Sequence, residues 1–148
     1  MSLVGLLLRA WGSGHLRKND ALATSGPYAY TRNPLYLGSF VMGLGFTIAS
    51  GRWALGILFI ALFLGIYLPV MRVETATLAQ LFGESFKEYA GAVPLFLPRL
   101  TPYRRGEARI GFDRSLYMRY REYRAALGLL IAWGLLVFKV VLKVYYLK

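Results

Sequence analysis

Two long uncharged stretches dominate the pattern of apolar and polar positions. PLYLGSFVMGLGFTIAS runs from Pro34 to Ser50, and WALGILFIALFLGIYLPV from Trp53 to Val70. Gly51-Arg52 between them reads as a tight turn, so the pair predicts a helical hairpin. At about 1.5 Å per residue the first helix reaches roughly 25 Å, a marginal span for a bilayer core of about 30 Å. Asn33 can cap this helix, and Pro34 suits its first turn. Pro69 is expected to kink or loosen the exit of the second helix. That helix is expected to continue through MRVETATLAQLF until Gly83 interrupts it, and SFKEYAGAV adds a turn or two before Pro94.

VPLFLPRLTPYRRGEARIGF is rich in proline and glycine and reads as an irregular connection. RSLYMRYREYRAA, from Arg114 to Ala126, returns to helical character and feeds directly into a third apolar segment, LGLLIAWGLLVFKVVLKVYYLK. The opening MSLVGLLLRAW is apolar but too short to span a bilayer. It reads as the cut end of a membrane helix or as a helix lying at the interface. It has neither the basic n-region nor the small-residue cleavage pattern of a signal peptide.

Composition sharpens this picture. The 148 residues suffice for one small domain, with 57% hydrophobic and only 17% charged residues, far from a basic disordered tail. The net charge of +11 sits on cations that flank the apolar runs. That arrangement fits the positive-inside rule and anionic headgroups, and it argues against nucleic acid as a partner. Most Lys and Arg lie between Met71 and Ala126, and Arg9, Arg17, Lys18 and Arg32 lie before the hairpin, whose tip has Arg52 alone. Both basic regions therefore belong on one side, the cytoplasm, of the inner (cell) membrane of a bacterium. Lys139, Lys143 and Lys148 at the end of the last helix fit less well; either they snorkel or that helix lies shallow.

The absence of cysteine excludes thiol nucleophiles, disulfides and cysteine-ligated zinc or iron–sulfur centres. A single histidine, His15, excludes a multi-histidine metal site, and no metal is expected. His15 itself is either a base or a loop bystander. Gly43 and Gly45 form a GxG inside an apolar helix, not after a strand, so they are no dinucleotide fingerprint. They permit close approach of another helix or of a ligand.

Glu74 is the first candidate for chemistry. Val70, Glu74, Thr77, Leu78 and Leu81 share one helical face, the one expected to pack against other helices. A carboxylate there is a functional group, or a structural ion pair with Arg32, or an acid just above the headgroups. Arg72 points the other way, as an anchor. Arg32 can grip a carboxylate or phosphate bidentately, and Asn33 can offer its amide to a ligand; both are also ordinary choices for an interfacial helix start. The Arg/Tyr ladder from Arg114 to Arg124 is an interfacial belt or a headgroup site.

GPYAYTRNPLYLG followed by ETATLAQLFGESFKEYAGAVPLFLPRL resembles the membrane methyltransferases related to isoprenylcysteine carboxyl methyltransferase and phosphatidylethanolamine N-methyltransferase. Gly26, Pro27, Tyr28, Arg32, Asn33, Pro34, Tyr36 and Gly38 match the first block of the family pattern. Glu74, Leu78, Phe82, Gly83, Phe86, Tyr89, Val93 and Pro94 match the second, and Gly43 and Gly45 match a glycine motif of the phospholipid branch. The resemblance implies an all-α integral membrane helical bundle: a transmembrane hairpin, a cytoplasmic amphipathic helix and a C-terminal membrane helix. It implies one domain over 1–148, with a family-like core at 26–100 and a helical extension at 114–148. It further implies S-adenosylmethionine as cofactor, Arg32 and Glu74 as catalytic residues, and Asn33, Pro34, Tyr36, Gly43, Gly45 and Glu74 around the cofactor. Two departures stand out. Thr75 replaces the family's second acid, and the family usually carries membrane helices before the GPY block.

The expected substrate is lipid-like or isoprenoid-linked. A carboxylate nucleophile needs no base, whereas an ammonium headgroup must first lose a proton. No obvious base is present, which favours carboxyl O-methylation over headgroup N-methylation. The alternatives are an NADPH-dependent sterol-type reductase and a non-catalytic membrane scaffold.

Overall fold

A computed structural model describes residues 1–16, 21–103, 111–121 and 123–146. Arg17, Lys18 and Lys148 of the flanking cations, and residues 104–110 of the irregular connection, lie outside the described residues. Among the described residues the fold is all-helical: α1 (Ser2–Ser13), a short 3-10 turn (Gly26–Ala29), α2 (Pro34–Ala49), α3 (Trp53–Ala92), α4 (Arg114–Arg119) and α5 (Tyr123–Tyr146).

The α2–α3 hairpin closes where the pattern of the chain places it. The Ser50 hydroxyl donates to the Thr47 carbonyl at 2.6 Å, and Gly51 reverses the chain with φ +66°, a left-handed conformation that glycine adopts freely. The seam between the two helices is aromatic. Tyr36 meets Tyr67 at 5.3 Å between ring centroids, and Phe40 meets Phe59 at 5.7 Å and Phe63 at 5.2 Å. Gly43 makes room for this seam, because a Cβ there would overlap the Phe59 ring.

Helices α3 and α5 are long and apolar enough to cross a membrane, and α2 is a shorter apolar helix. The outward side chains of α3, such as Trp53, Ile57 and Ile66, lie open. So large an apolar surface is costly in water and free of that cost in lipid. The chain is thus a membrane helical bundle.

Pro69 does not interrupt α3. The one residue of the helix with non-helical dihedrals is Gly83, at φ +53° and ψ −125°. A lone proline is tolerated in a membrane helix, where neighbouring groups re-satisfy the freed carbonyl, whereas the Gly83 conformation is barely open to a residue with a Cβ.

Helix α1 pairs antiparallel with α2 through small residues. Ser2 faces Met42 and Gly45, Gly5 faces Gly38 and Met42, and Gly12 faces Leu35 and Pro34. The Ser2 hydroxyl donates to the Met42 carbonyl at 3.1 Å. Such close backbone approach is how helices associate where hydrophobic drive is absent. At the other end, the Arg/Tyr ladder does not run straight into α5. Arg121 takes φ +54° and divides α4 from α5, and α5 meets α2 through Trp133 and Phe46, 5.7 Å apart.

Candidate active site

The GPY block and the VP segment are sewn together. Backbone amides of Arg32, Arg99 and Tyr103 donate to the carbonyls of Pro94, Tyr30 and Ala29 at 3.0, 2.9 and 2.8 Å. The buried Thr31 hydroxyl donates to the Phe96 carbonyl at 2.9 Å, and Phe96 inserts its ring against Phe40 in the hairpin seam. The Tyr89 hydroxyl, arriving beyond the Gly83 break, donates to the Tyr28 carbonyl at 2.7 Å. Asn33 occupies the N-cap position of α2, but its side chain caps nothing. Its amide donates to the Leu95 carbonyl at 2.9 Å instead. The VP segment therefore competes successfully for the group that a free helix end would use.

Between this clasp and the middle of α3 lies a cavity of about 520 Å³. Arg32, Asn33 and Tyr36 line one side; Glu74, Thr75 and Thr77 line another. Leu22, Leu78, Leu81 and Phe82 add apolar wall. The face of α3 bearing Glu74 thus borders a cavity and does not pack against another helix, and Glu74 is exposed rather than buried.

Arg32 is half-buried, and its Nε is fully enclosed without a hydrogen-bond partner. Loss of water on burial lowers its pKa from the ordinary guanidinium value, with nearby Tyr89 working the other way. A guanidinium stays cationic even so. No ion pair joins Arg32 to Glu74 among the described residues. Glu74 and Tyr36 line the cavity together. The cavity therefore offers Arg32, a cation with an unmet donor, and the Glu74 carboxylate, with no ion pair between them among the described residues. Thr75, at the position of the second acid, turns its hydroxyl back to the Met71 carbonyl at 2.8 Å.

The other sequence candidates lie elsewhere. Pro34 is fully buried against α1 and lines no part of the cavity. Neither do Gly43, which faces Phe59, or Gly45, which faces Ser2; their absent side chains serve helix packing. His15 is buried and donates from Nδ1 to the Trp11 carbonyl at 2.9 Å. Arg72 is exposed.

Some cavity residues escaped the sequence reading. Arg9 reaches the cavity from α1 and donates to the Ser39 hydroxyl. Gly5 and Gly12, four before and three after it, mark the packing face that carries it. Tyr28 and Tyr89 line the cavity within the quoted motifs, but no local pattern shows that one hydrogen-bonds the other. Tyr120, beyond α4, also lines it. No group of three or more His, Asp or Glu able to hold a metal ion occurs among the described residues.

Fold and cavity define a membrane-embedded helical protein with a mixed-charge site at the foot of its hairpin. Residues 5–85 match the family model described as phospholipid methyltransferase, and the chain belongs to that family. It is 41% identical over 88 residues to cobalt-zinc-cadmium resistance protein CzcN of Cupriavidus metallidurans, covering 60% of this chain and 40% of that protein. It is 35% identical over 106 residues to nickel-cobalt-cadmium resistance protein NccN of Alcaligenes xylosoxydans xylosoxydans, covering 70% and 48%. It is 33% identical over 81 residues to protein-S-isoprenylcysteine O-methyltransferase of Schizosaccharomyces pombe, covering 55% and 34%. The chain therefore spans less than half the length of each of these relatives. No solved structure matches it.

Proposed function

We propose that the chain carries the cofactor site of a membrane methyltransferase that uses S-adenosylmethionine and methylates the carboxyl group of a lipid-like or isoprenoid-linked acceptor on the cytoplasmic side. The observation that carries this reading is the meeting, in one cavity, of a buried Arg32 Nε without a hydrogen-bond partner and a Glu74 carboxylate that makes no ion pair among the described residues.

The residues fit such a cofactor. The cavity of about 520 Å³ is of the size that small-molecule sites usually have. Glu74 suits an ammonium group or ribose hydroxyls, and Arg32 suits a carboxylate of the cofactor or of the acceptor. When bound, S-adenosylmethionine supplies a methyl group on a cationic sulfur. Arg32, Asn33 and Tyr36 hold and orient; the apolar wall from Leu78 to Phe82 excludes water. A carboxylate acceptor attacks without giving up a proton, so no base is required of the protein. This agrees with a cavity wall whose described residues include no histidine and no acid besides Glu74. The S. pombe relative's name speaks of the same bond type.

The test is transfer of tritiated methyl by the purified chain in detergent, with N-acetyl-S-farnesylcysteine and phosphatidylethanolamine as competing acceptors. We expect label on the prenyl compound that base releases as volatile methanol, as a methyl ester does. Base-stable label on the phospholipid would overturn the carboxyl assignment. No label on either, with no cofactor binding, would overturn the methyltransferase reading.

A further inference from the structure

We infer that Tyr120 sets the size limit for the apolar part of the methyl acceptor, a specificity role that rests on the methyltransferase reading. Its position is built rather than incidental. The Asp113 amide donates to the Gly14 carbonyl at 2.8 Å, tying the start of α4 to the end of α1. The Phe112 ring lies on Gly14 so closely that a Cβ there would overlap it, and it meets the His15 ring edge-on at 6.2 Å. His15 in turn lies over Gly26, the first residue of the GPY block. Leu116, on α4, is buried. The Asp113 carboxylate accepts from the Ser115 amide at 2.8 Å and fixes where α4 begins. At the far end Arg121 adopts φ +54°, a conformation that residues with side chains seldom take unless their surroundings impose it. Helix α4 therefore ends there, and Tyr120 lines the cavity.

Tyr120 lies well beyond residues 5–85, the part of the chain that matches the family model. It lies outside the matched segment that supplies the charged groups Arg32 and Glu74. Of those groups Arg32 suits the acceptor's carboxylate, while Glu74 suits the cofactor. Tyr120 lines the same cavity as the apolar Leu16, Leu22 and Leu81, the side chains against which an amphiphile's chain would lie. A rigid ring there admits chains up to a given bulk and rejects the next.

The experiment measures relative kcat/KM for N-acetylcysteine carrying S-geranyl, S-farnesyl or S-geranylgeranyl groups, with tritiated S-adenosylmethionine. Tyr120→Ala is expected to shift the preference toward the longer chain by about tenfold or more, the usual scale for hydrophobic-pocket discrimination, and Tyr120→Trp toward the shorter. Unchanged ratios in both variants overturn the inference. A second readout needs no turnover. The natural chain has no cysteine, so Tyr120→Cys introduces a lone thiol. Saturating N-acetyl-S-farnesylcysteine should slow its alkylation by maleimide severalfold; equal rates with and without the compound overturn the inference. If the wild-type chain transfers no methyl group while that thiol is still shielded, the methyltransferase reading falls and the place of Tyr120 in an amphiphile site stands.

Discussion

The two halves of α3 share one backbone and solve different problems. From Trp53 to Val70 the helix is uncharged, and most of its outward side chains lie open. In lipid these gain nothing by mutual burial, so the register of the hairpin depends on shape: interlocked rings and the space above Gly43. From Met71 to Ala92 the helix carries Arg72, Glu74, Glu84, Lys87 and Glu88, and an exposed Lys87–Glu84 pair at 2.6 Å. Here hydrogen bonds to a distant segment set the geometry, above all Tyr89 to Tyr28. Counted from Trp53 at about 1.5 Å per residue, Glu74 stands just past the roughly 30 Å that a bilayer core requires. The cavity-lining acid comes where the membrane-spanning length ends. A carboxylate one turn earlier would meet the cost of burial in hydrocarbon, and one much later would leave the cavity.

Breaking the polar half should therefore cost activity or the clasp, and breaking the apolar half should cost stability alone. The largest effect is expected from Arg32→Ala, with a fall in kcat/KM of about a hundredfold, measured by initial rates of methyl transfer, since a charge-assisted contact to an anion is lost. Lysine should restore little of this, because a point charge does not reproduce the guanidinium fork. Next comes Gly83→Ala. A Cβ at Gly83 meets nothing within 4 Å, so the whole penalty is conformational, about 2 kcal/mol. It should appear as a lower thermal midpoint in detergent by circular dichroism, with weakened cofactor affinity because Phe86 and Tyr89 are re-aimed. Tyr89→Phe should cost about 1 kcal/mol by the same measurement, the worth of its bond to the Tyr28 carbonyl. Gly43→Ala should cost about as much by crowding Phe59, and calorimetry should find its S-adenosylmethionine affinity unchanged. A large affinity loss in Gly43→Ala would place that glycine in the site after all.

The same division explains what could be read from the sequence. The hairpin, its turn at Gly51 and the break at Gly83 follow from runs of apolar residues and from glycine's conformational freedom, which are local. The shared face of Val70, Glu74 and Leu78 is local too, but what that face meets is not; it meets a cavity and not a helix. Asn33 carries every local mark of a capping residue, and only a segment some sixty positions away, whose Leu95 carbonyl takes its amide, changes that role. Gly43 and Gly45 could serve a ligand or a neighbour, and only the rings and backbone opposite them decide between the two. Pro69 reads as a kink or a loosened exit, and the dihedrals around it stay helical, as they can where neighbouring groups re-satisfy the freed carbonyl. Tyr120 reads only as one rung of the Arg/Tyr ladder, a belt or headgroup site; its place on the cavity depends on Phe112 docking against a glycine near the other end of the chain.

The central claim is that Glu74 answers a cationic nucleoside cofactor across the cavity from Arg32. Isothermal titration of S-adenosylmethionine into the detergent-solubilised chain tests it most directly, wild type against Glu74→Ala. The account predicts saturable binding by the wild type and an affinity at least about tenfold weaker in the variant, with the thermal midpoint kept, since Glu74 makes no ion pair among the described residues. Equal affinities in the two proteins would contradict it.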